Sequence, residues 1–175
     1  MPAPARDDQI DRVDENDRIV GTVARDQAIV SGAGFRVVHV LVTNTSSQVL
    51  LQCVGSAGTR TPGRWGSSVA GYLFAGEEPL AAARRRMREE IDVDAPLSFL
   101  GRTRMDDEGS HKFIYVYHAQ SDEARVVDTG HIAELRFWDL AEVEYALDNG
   151  PDVFTPTFAY VYRVARRAFG SGRDA

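Results

Sequence analysis

The stretch GYLFAGEEPLAAARRRMREEIDV, residues 71–93, decides the fold because it joins a glycine-containing loop to a charged helix. The helix is predicted to begin near Glu78 or Pro79, since proline suits the first helical position, where its missing N–H would have no partner. It is predicted to end over residues 92–96. Four apolar side chains recur at helical spacing and are predicted to face the core: Leu80, Ala83, Met87 and Ile91.

The charged residues of this helix have the chemistry that a diphosphate site requires. Hydrolysis of an anionic diphosphate calls for a divalent metal that positions water, and Mg²⁺ and Mn²⁺ prefer oxygen ligands. Glu89 and Glu90 diverge by about 100° around a helix, yet both can border one site at its end. Glu77 can approach from the loop, and Arg85 can pair with Glu89. Such i, i+4 pairs also occur on ordinary solvated helices, so the helix alone leaves both interpretations open.

The spacing of these residues resembles the signature of the Nudix family, G-x5-E-x7-R-E-U-x-E-E-x-G-U, where U is a bulky aliphatic residue. Seven residues fall on signature positions: Gly71, Glu77, Arg85, Met87, Glu89, Glu90 and Val93. Two positions depart, because Arg86 replaces a glutamate and Asp92 replaces a glycine. The resemblance implies an α+β (mixed α/β) fold, in which a mixed β-sheet is sandwiched between α-helices.

The resemblance also implies roles for individual residues. Glu89 and Glu90 would ligate Mg²⁺ or Mn²⁺ with a main-chain carbonyl near Gly71, and Glu77 would be a further ligand. Arg85 would orient a glutamate. Arg86 removes one carboxylate from the metal site and could instead contact a substrate phosphate. It therefore indicates either a reduced site that uses fewer metals or a weakened hydrolase. Trp65 is the aromatic candidate for packing beside the substrate, with a core role as the alternative.

The flanking segments resemble the subgroup of Nudix proteins related to isopentenyl diphosphate isomerase. The similarity is carried by VDENDRIVGTVAR (residues 13–25), VTNTSSQVLLQ (42–52) and PGRWGSSVAG (62–71). The isomerase's catalytic cysteine falls on Ala70 and the histidine after it on Tyr72. Its paired glutamates fall near His111 and Phe113. Allylic proton transfer needs an acid and a base, which alanine and phenylalanine at these positions cannot supply. A pyrophosphohydrolase is therefore preferred, with an impaired binding module or an isomerase as alternatives.

Length and composition predict a single domain over residues 10–170 that follows a loose tail over 1–9. A net charge of −6 argues against binding to nucleic acid polymers, and a small-molecule diphosphate is the expected partner. There is no apolar run long enough for a bilayer and no signal-peptide core, so a cytoplasmic protein is expected. A homodimer is compatible with the family.

The rest of the chain is predicted to alternate strands with two further helices. The strands are predicted at 35–43, 49–54, 97–103, 112–119 and 135–138, with a hairpin at 13–25. Asp139 is predicted to cap a helix to Leu147, and a last helix covers 158–169. Cys53 is predicted to be a buried apolar residue. His39 is predicted to lie in the core or on a sheet face, with a role in the site as the alternative. The loops at 106–109 and 122–123, together with Glu134, are the places to search for a further ligand or base.

Overall fold

The computed structural model describes residues 8–57, 60–107 and 109–170. Its strands and helices, in chain order, are β1 (Gln9–Val13), β2 (Ile19–Ala24), β3 (Gly34–Thr43), β4 (Gln48–Val54), β5 (Trp65–Gly66), β6 (Val69–Tyr72), α1 (Pro79–Ile91), β7 (Ser98–Asp107), β8 (Ser110–Gln120), β9 (Ile132–Asp139), α2 (Leu140–Asn149) and α3 (Pro156–Gly170).

Strand β3 is the centre of a mixed sheet. It pairs in parallel with β8 along its whole length, from Gly34 opposite His111 to Thr43 opposite Gln120. Strand β6 pairs with it in antiparallel fashion, and β4 joins its end and continues the sheet to β9. A continuous β-branched run such as FRVVHVLVT suits a strand that is covered on both faces.

The two faces of β3 enter two separate cores because successive side chains of a strand point to opposite faces. Val38, Val40 and Val42 pack with the apolar face of α1. Phe35, Val37 and Leu41 pack on the other side with residues of α2 and α3, among them Val143 and Phe158. A mixed sheet with helices on both faces confirms the predicted fold class.

Helix α1 begins at Pro79 and ends at Ile91, as the sequence predicted. Ala83, Met87 and Ile91 are buried, but the expectation for Leu80 is wrong, because its side chain is 39% exposed. Leu80 lies in the first turn, and Ala82 occupies the inward position there instead. Asp92, at the signature glycine, has a left-handed backbone with φ of 54°. Aspartate tolerates this conformation better than most residues, which explains how it replaces glycine.

Several strands are longer than the sequence pattern indicated. Asp106 belongs to β7 instead of a loop, because β7 and β8 pair as far as Asp107 and Ser110, while Glu108 lies outside the described residues. The first hairpin is confirmed, with Gln9 already in β1, and residues 1–7 of the predicted tail also lie outside the description. The domain limits of 10–170 stay a prediction.

Cys53 does not lie in the core as predicted. It is half-buried in β4, and partial burial together with the nearby Glu134 charge raises the pKa of its thiol. Within the described ranges, no helix has the combined length and apolar character needed to cross a membrane.

Candidate functional site

A cleft opens beside β6, where that strand lies between β3 and the last turns of α1. It has two adjoining parts that share five residues: His39, Ala70, Gly71, Tyr72 and Thr155. The first, called here the Glu90 compartment, has a volume of about 510 Å³. The second, called the Lys112 compartment, has a volume of about 320 Å³. Both lie within the size range of small-molecule sites.

Glu90 is a buried carboxylate on the wall of the first compartment, with 4% of the residue exposed. Arg86 donates from Nε to Glu90 Oε2 at 3.1 Å and from Nη2 to the Ala70 carbonyl at 3.1 Å. Burial raises the pKa of Glu90 to about 7, although the Arg86 charge and a hydrogen bond from Gln52 oppose the shift. The desolvation of the carboxylate therefore outweighs its ion pair.

Gly71 allows the Arg86 side chain to cross strand β6. A Cβ atom at position 71 would lie 2.2 Å from Arg86 Nε, closer than two such atoms can approach. The first signature glycine thus has a steric function in this chain. Without a side chain at 71, the guanidinium reaches both Glu90 and the Ala70 carbonyl.

Arg85 organises a second group of charges on the neighbouring side of α1. Its Nε and Nη2 donate to the two oxygens of Glu77 at 2.8 and 2.9 Å, and its Nη1 donates to Glu89 at 3.0 Å. The guanidinium also lies over the Phe74 ring, 3.6 Å from its centroid. Glu77 in turn accepts the backbone N–H of Phe74 at 3.1 Å. Arg85 and Glu77 therefore fasten the entry loop to the helix.

The structure brings some of the predicted site residues together and leaves others apart. Gly71, Arg86 and Glu90 line one compartment. Glu77, Arg85 and Glu89 form the adjacent network, in which the Glu89 side chain is 52% exposed. Among the described residues there is no group of three or more His, Cys, Asp or Glu side chains that could hold a metal ion. The metal-ligand roles of Glu77, Glu89 and Glu90 stay predictions.

Trp65 is not brought to these residues. Its ring packs edge-on against Trp138 with centroids 5.4 Å apart, and Arg136 lies over it at 5.0 Å. Its neighbour Gly66 lines the Glu90 compartment, whereas Trp65 is absent from the described lining of either compartment. The alternation of β5 turns the Trp65 side chain away from the cleft.

Several cleft residues were missed by sequence reasoning. Asp128 lines the Glu90 compartment because the segment before β9 folds over α1, where the Val127 N–H donates to the Glu90 carbonyl at 2.9 Å. Gln52 and Lys112 reach the cleft from β4 and β8. Alternation along the strands was a usable signal for Lys112, whereas only the tertiary fold places Asp128.

His39 lies on a sheet face, as one of its two interpretations had it, and it also lines both compartments. Its Nδ1 lies 2.9 Å from Ser67 Oγ. Burial, and then the Lys112 charge, lower the pKa of His39 to about 3, so the imidazole is neutral at physiological pH. A neutral ring with a hydroxyl partner can hold a ligand by hydrogen bonds without adding charge.

The fold and the signature helix define the class of protein. The NUDIX domain model matches residues 34–158, so the chain belongs to the Nudix family. It is 32% identical over 167 residues to an isopentenyl-diphosphate Delta-isomerase of Nocardia farcinica, covering 91% of this chain and 95% of that protein. Relatives of this name place the chain in the isomerase-like subgroup of the family.

Two further comparisons agree with the family. An uncharacterized Nudix hydrolase of Pseudomonas aeruginosa is 30% identical over 126 residues, which cover 71% of this chain and 75% of that protein. The crystal structure of DR0079 from Deinococcus radiodurans superposes with a TM-score of 0.74 at 22% identity, covering 90% of this chain and 98% of that one. At this identity the structural likeness concerns the fold alone.

Proposed function

We propose that this chain hydrolyses the diphosphate bond of a small-molecule substrate in the presence of Mg²⁺ or Mn²⁺. The observation that carries the proposal is the buried Glu90 carboxylate, paired with Arg86 on the wall of the 510 Å³ compartment. Maintaining a buried ion pair beside an open cleft costs desolvation energy. A substrate that carries charge supplies the chemical reason for this arrangement.

The donors fit a metal that binds together with the diphosphate. Mg²⁺ in phosphate-handling sites is commonly held by one or two carboxylates plus the phosphates of the substrate. Glu90 and Glu89 are the two carboxylates on this helix end, and the carbonyl near Gly71 is the main-chain donor. The oxygens of Glu77 are bonded to Arg85, which makes Glu77 the weakest candidate. When bound, the metal would neutralise phosphate charge and activate a water molecule.

The chain's own residues would orient and neutralise the substrate. Arg86 presents a planar guanidinium whose geometry suits a phosphate as well as a carboxylate. Arg85 holds Glu89 in place on the same face of the helix by an i, i+4 ion pair at 3.0 Å. Because the pKa of Glu90 is about 7, its ionised form becomes more populated when a cation binds beside it. Cation binding should therefore release protons near neutral pH.

Isomerase activity is the second candidate, favoured by the names of the relatives. The cleft wall argues against it, because Ala70 has no proton to transfer at the place where the isomerase has cysteine. Burial raises the pKa of the Tyr72 phenol, so this group holds its proton firmly. An allylic isomerisation needs both a proton donor and a proton acceptor at the substrate. Deuterium exchange into isopentenyl diphosphate would test this activity directly.

A binding module without turnover is the third candidate. It is favoured by the position of the Arg86 guanidinium, which already bridges Glu90 and the Ala70 carbonyl. A metal would compete with this cation for the same oxygens. Tight binding of a diphosphate without hydrolysis would support this function.

The test is phosphate or nucleotide release from nucleoside diphosphates and triphosphates, nucleotide sugars, dinucleotides and prenyl diphosphates. Each compound is assayed with Mg²⁺, with Mn²⁺ and with a chelator, beside the Glu90→Gln variant. We expect metal-dependent hydrolysis that falls at least a hundredfold in the variant. Folded protein that is silent across the panel would overturn the proposal.

A further inference from the structure

Lys112 is the only lysine among the 20 lysine and arginine residues of the chain. It lies in β8, opposite Phe35 of β3, and its side chain lines the smaller compartment of the cleft. Its Nζ donates to Thr157 Oγ1 at 2.9 Å, and that hydroxyl donates in turn to the sulfur of Met105. The ammonium group is therefore held at the boundary between the sheet and α3.

The charged groups of the cleft are distributed unevenly. The Glu90 compartment mixes signs, with Glu90 and Asp128 beside Arg86. The Lys and Arg side chains on the wall of the Lys112 compartment are Arg60 and Lys112, beside His39 and His111, and its described lining includes no Asp or Glu. Two permanent cations on the wall of one compartment favour an anionic ligand.

Another part of the wall of this compartment is apolar and aromatic. Phe35 and Tyr72 lie with their ring centroids 5.3 Å apart, and Val37 is beside them. A ligand that fits both walls has a flat or apolar body and a terminal charged group. The branched, unsaturated hydrocarbon of a prenyl diphosphate would use the aromatic wall but would place apolar atoms against the ammonium, which disfavours it.

We propose that Lys112 is a specificity-determining residue, which binds a second anionic group of the substrate, a phosphate monoester or a carboxylate, away from the scissile diphosphate. The inference rests on the proposed function and names a property of the substrate that this function leaves open. Lysine can bind such a group because its ammonium is a compact positive charge with three hydrogen-bond donors.

The test compares two probes that differ by one phosphate, AMP and adenosine 3′,5′-bisphosphate. Calorimetry measures the affinity of each for the wild-type chain, Lys112→Met, Lys112→Arg and Arg125→Met. The last variant is the matched control, because it removes one positive charge from an exposed pair with Asp92. We expect the wild type to bind the bisphosphate at least tenfold more tightly than AMP. Lys112→Met should abolish the preference, and Lys112→Arg and Arg125→Met should retain it.

Chemical labelling gives a second readout that does not depend on turnover. Because Lys112 is the sole lysine, an amine-acylating reagent can modify this side chain and the N-terminal amine, which peptide mapping separates. We expect the bisphosphate to slow acylation of Lys112 at least fivefold more than AMP at equal concentration. Acylation of the N-terminal amine should respond equally to both probes.

The outcomes separate the two proposals. Equal binding of the probes to the wild-type chain, or a preference that survives in Lys112→Met, would overturn the role of Lys112 even in an active hydrolase. If the wild-type chain hydrolyses no compound of the panel but still binds the bisphosphate more tightly than AMP, the proposed function is overturned and the anion site at Lys112 is retained. Urea denaturation of each variant establishes that the comparisons are made between folded proteins.

Discussion

Replacing Arg86 with methionine should destabilise the chain more at alkaline pH than at acidic pH. Methionine keeps the apolar stem of the side chain and removes the charge that pairs with Glu90. The ordinary pKa of this carboxyl is 4.5, and burial raises it to about 7. A raised folded-state pKa means that stability is fully present below pH 4.5 and is lost as the pH rises through 7. Removing Arg86 raises the folded-state pKa further and extends this loss.

The protonation of Glu90 limits how much unfolding free energy the Arg86→Met variant can lose. Once the arginine is gone, the carboxyl can take up a proton, so the extra cost above pH 7 grows by about 1.4 kcal/mol per pH unit. At pH 8.5 the limit is roughly 2 kcal/mol, from 1.5 units at this slope. At pH 5.5 Glu90 is already protonated in both proteins, and the electrostatic loss should be close to zero. Breaking a buried ion pair usually costs about 3–5 kcal/mol. Because Glu90 can take up a proton, the loss in Arg86→Met should be measurably smaller than this.

The assay is urea denaturation at pH 5.5 and 8.5, followed by the fluorescence of the two tryptophans. Arg88→Met is the matched control on the same helix, because Arg88 pairs with Asp94 at 3.0 Å but the two side chains are 60% and 75% exposed. Exposed pairs contribute about 0–1 kcal/mol, so the control should lose little at either pH. An equal loss for Arg86→Met at the two pH values, or the same pH dependence in the control, would refute the reasoning.

Three further changes test other parts of the structure, each by the same denaturation measurement. Gly71→Ala should reproduce the alkaline destabilisation of Arg86→Met, because its Cβ displaces the guanidinium, and a pH-independent loss would contradict this reason. Asp17→Asn should cost about 3 kcal/mol, because this buried carboxylate pairs with two arginines; a loss below 1 kcal/mol would show that the pairs contribute little. Asp139→Ala should cost about 1 kcal/mol by removing the capping box of α2, and an unchanged midpoint would refute the cap.

The sequence alone determined the signature helix and the fold class. Proline at the start of α1, apolar residues at helical spacing and the β-branched run of β3 are local signals, because each depends on neighbours within a few residues. The bounds of α1 followed from these signals, as did the strand identity of β3 and β8. Leu80 was misjudged because periodicity cannot tell which inward position the first turn of a helix uses.

The partners of the charged residues were decided by the tertiary structure. Sequence spacing offered Glu77, Glu89 and Glu90 as one group, but the fold assigns Glu90 to the cleft and the other two to Arg85. The elevated pKa of Glu90 follows from burial under a segment some 40 residues further along the chain. The desolvation of a group depends on all the atoms that surround it, so a pKa shift caused by burial cannot be predicted from a local sequence pattern. The same holds for Lys112, whose place in a cation-rich compartment results from the parallel pairing of β3 with β8.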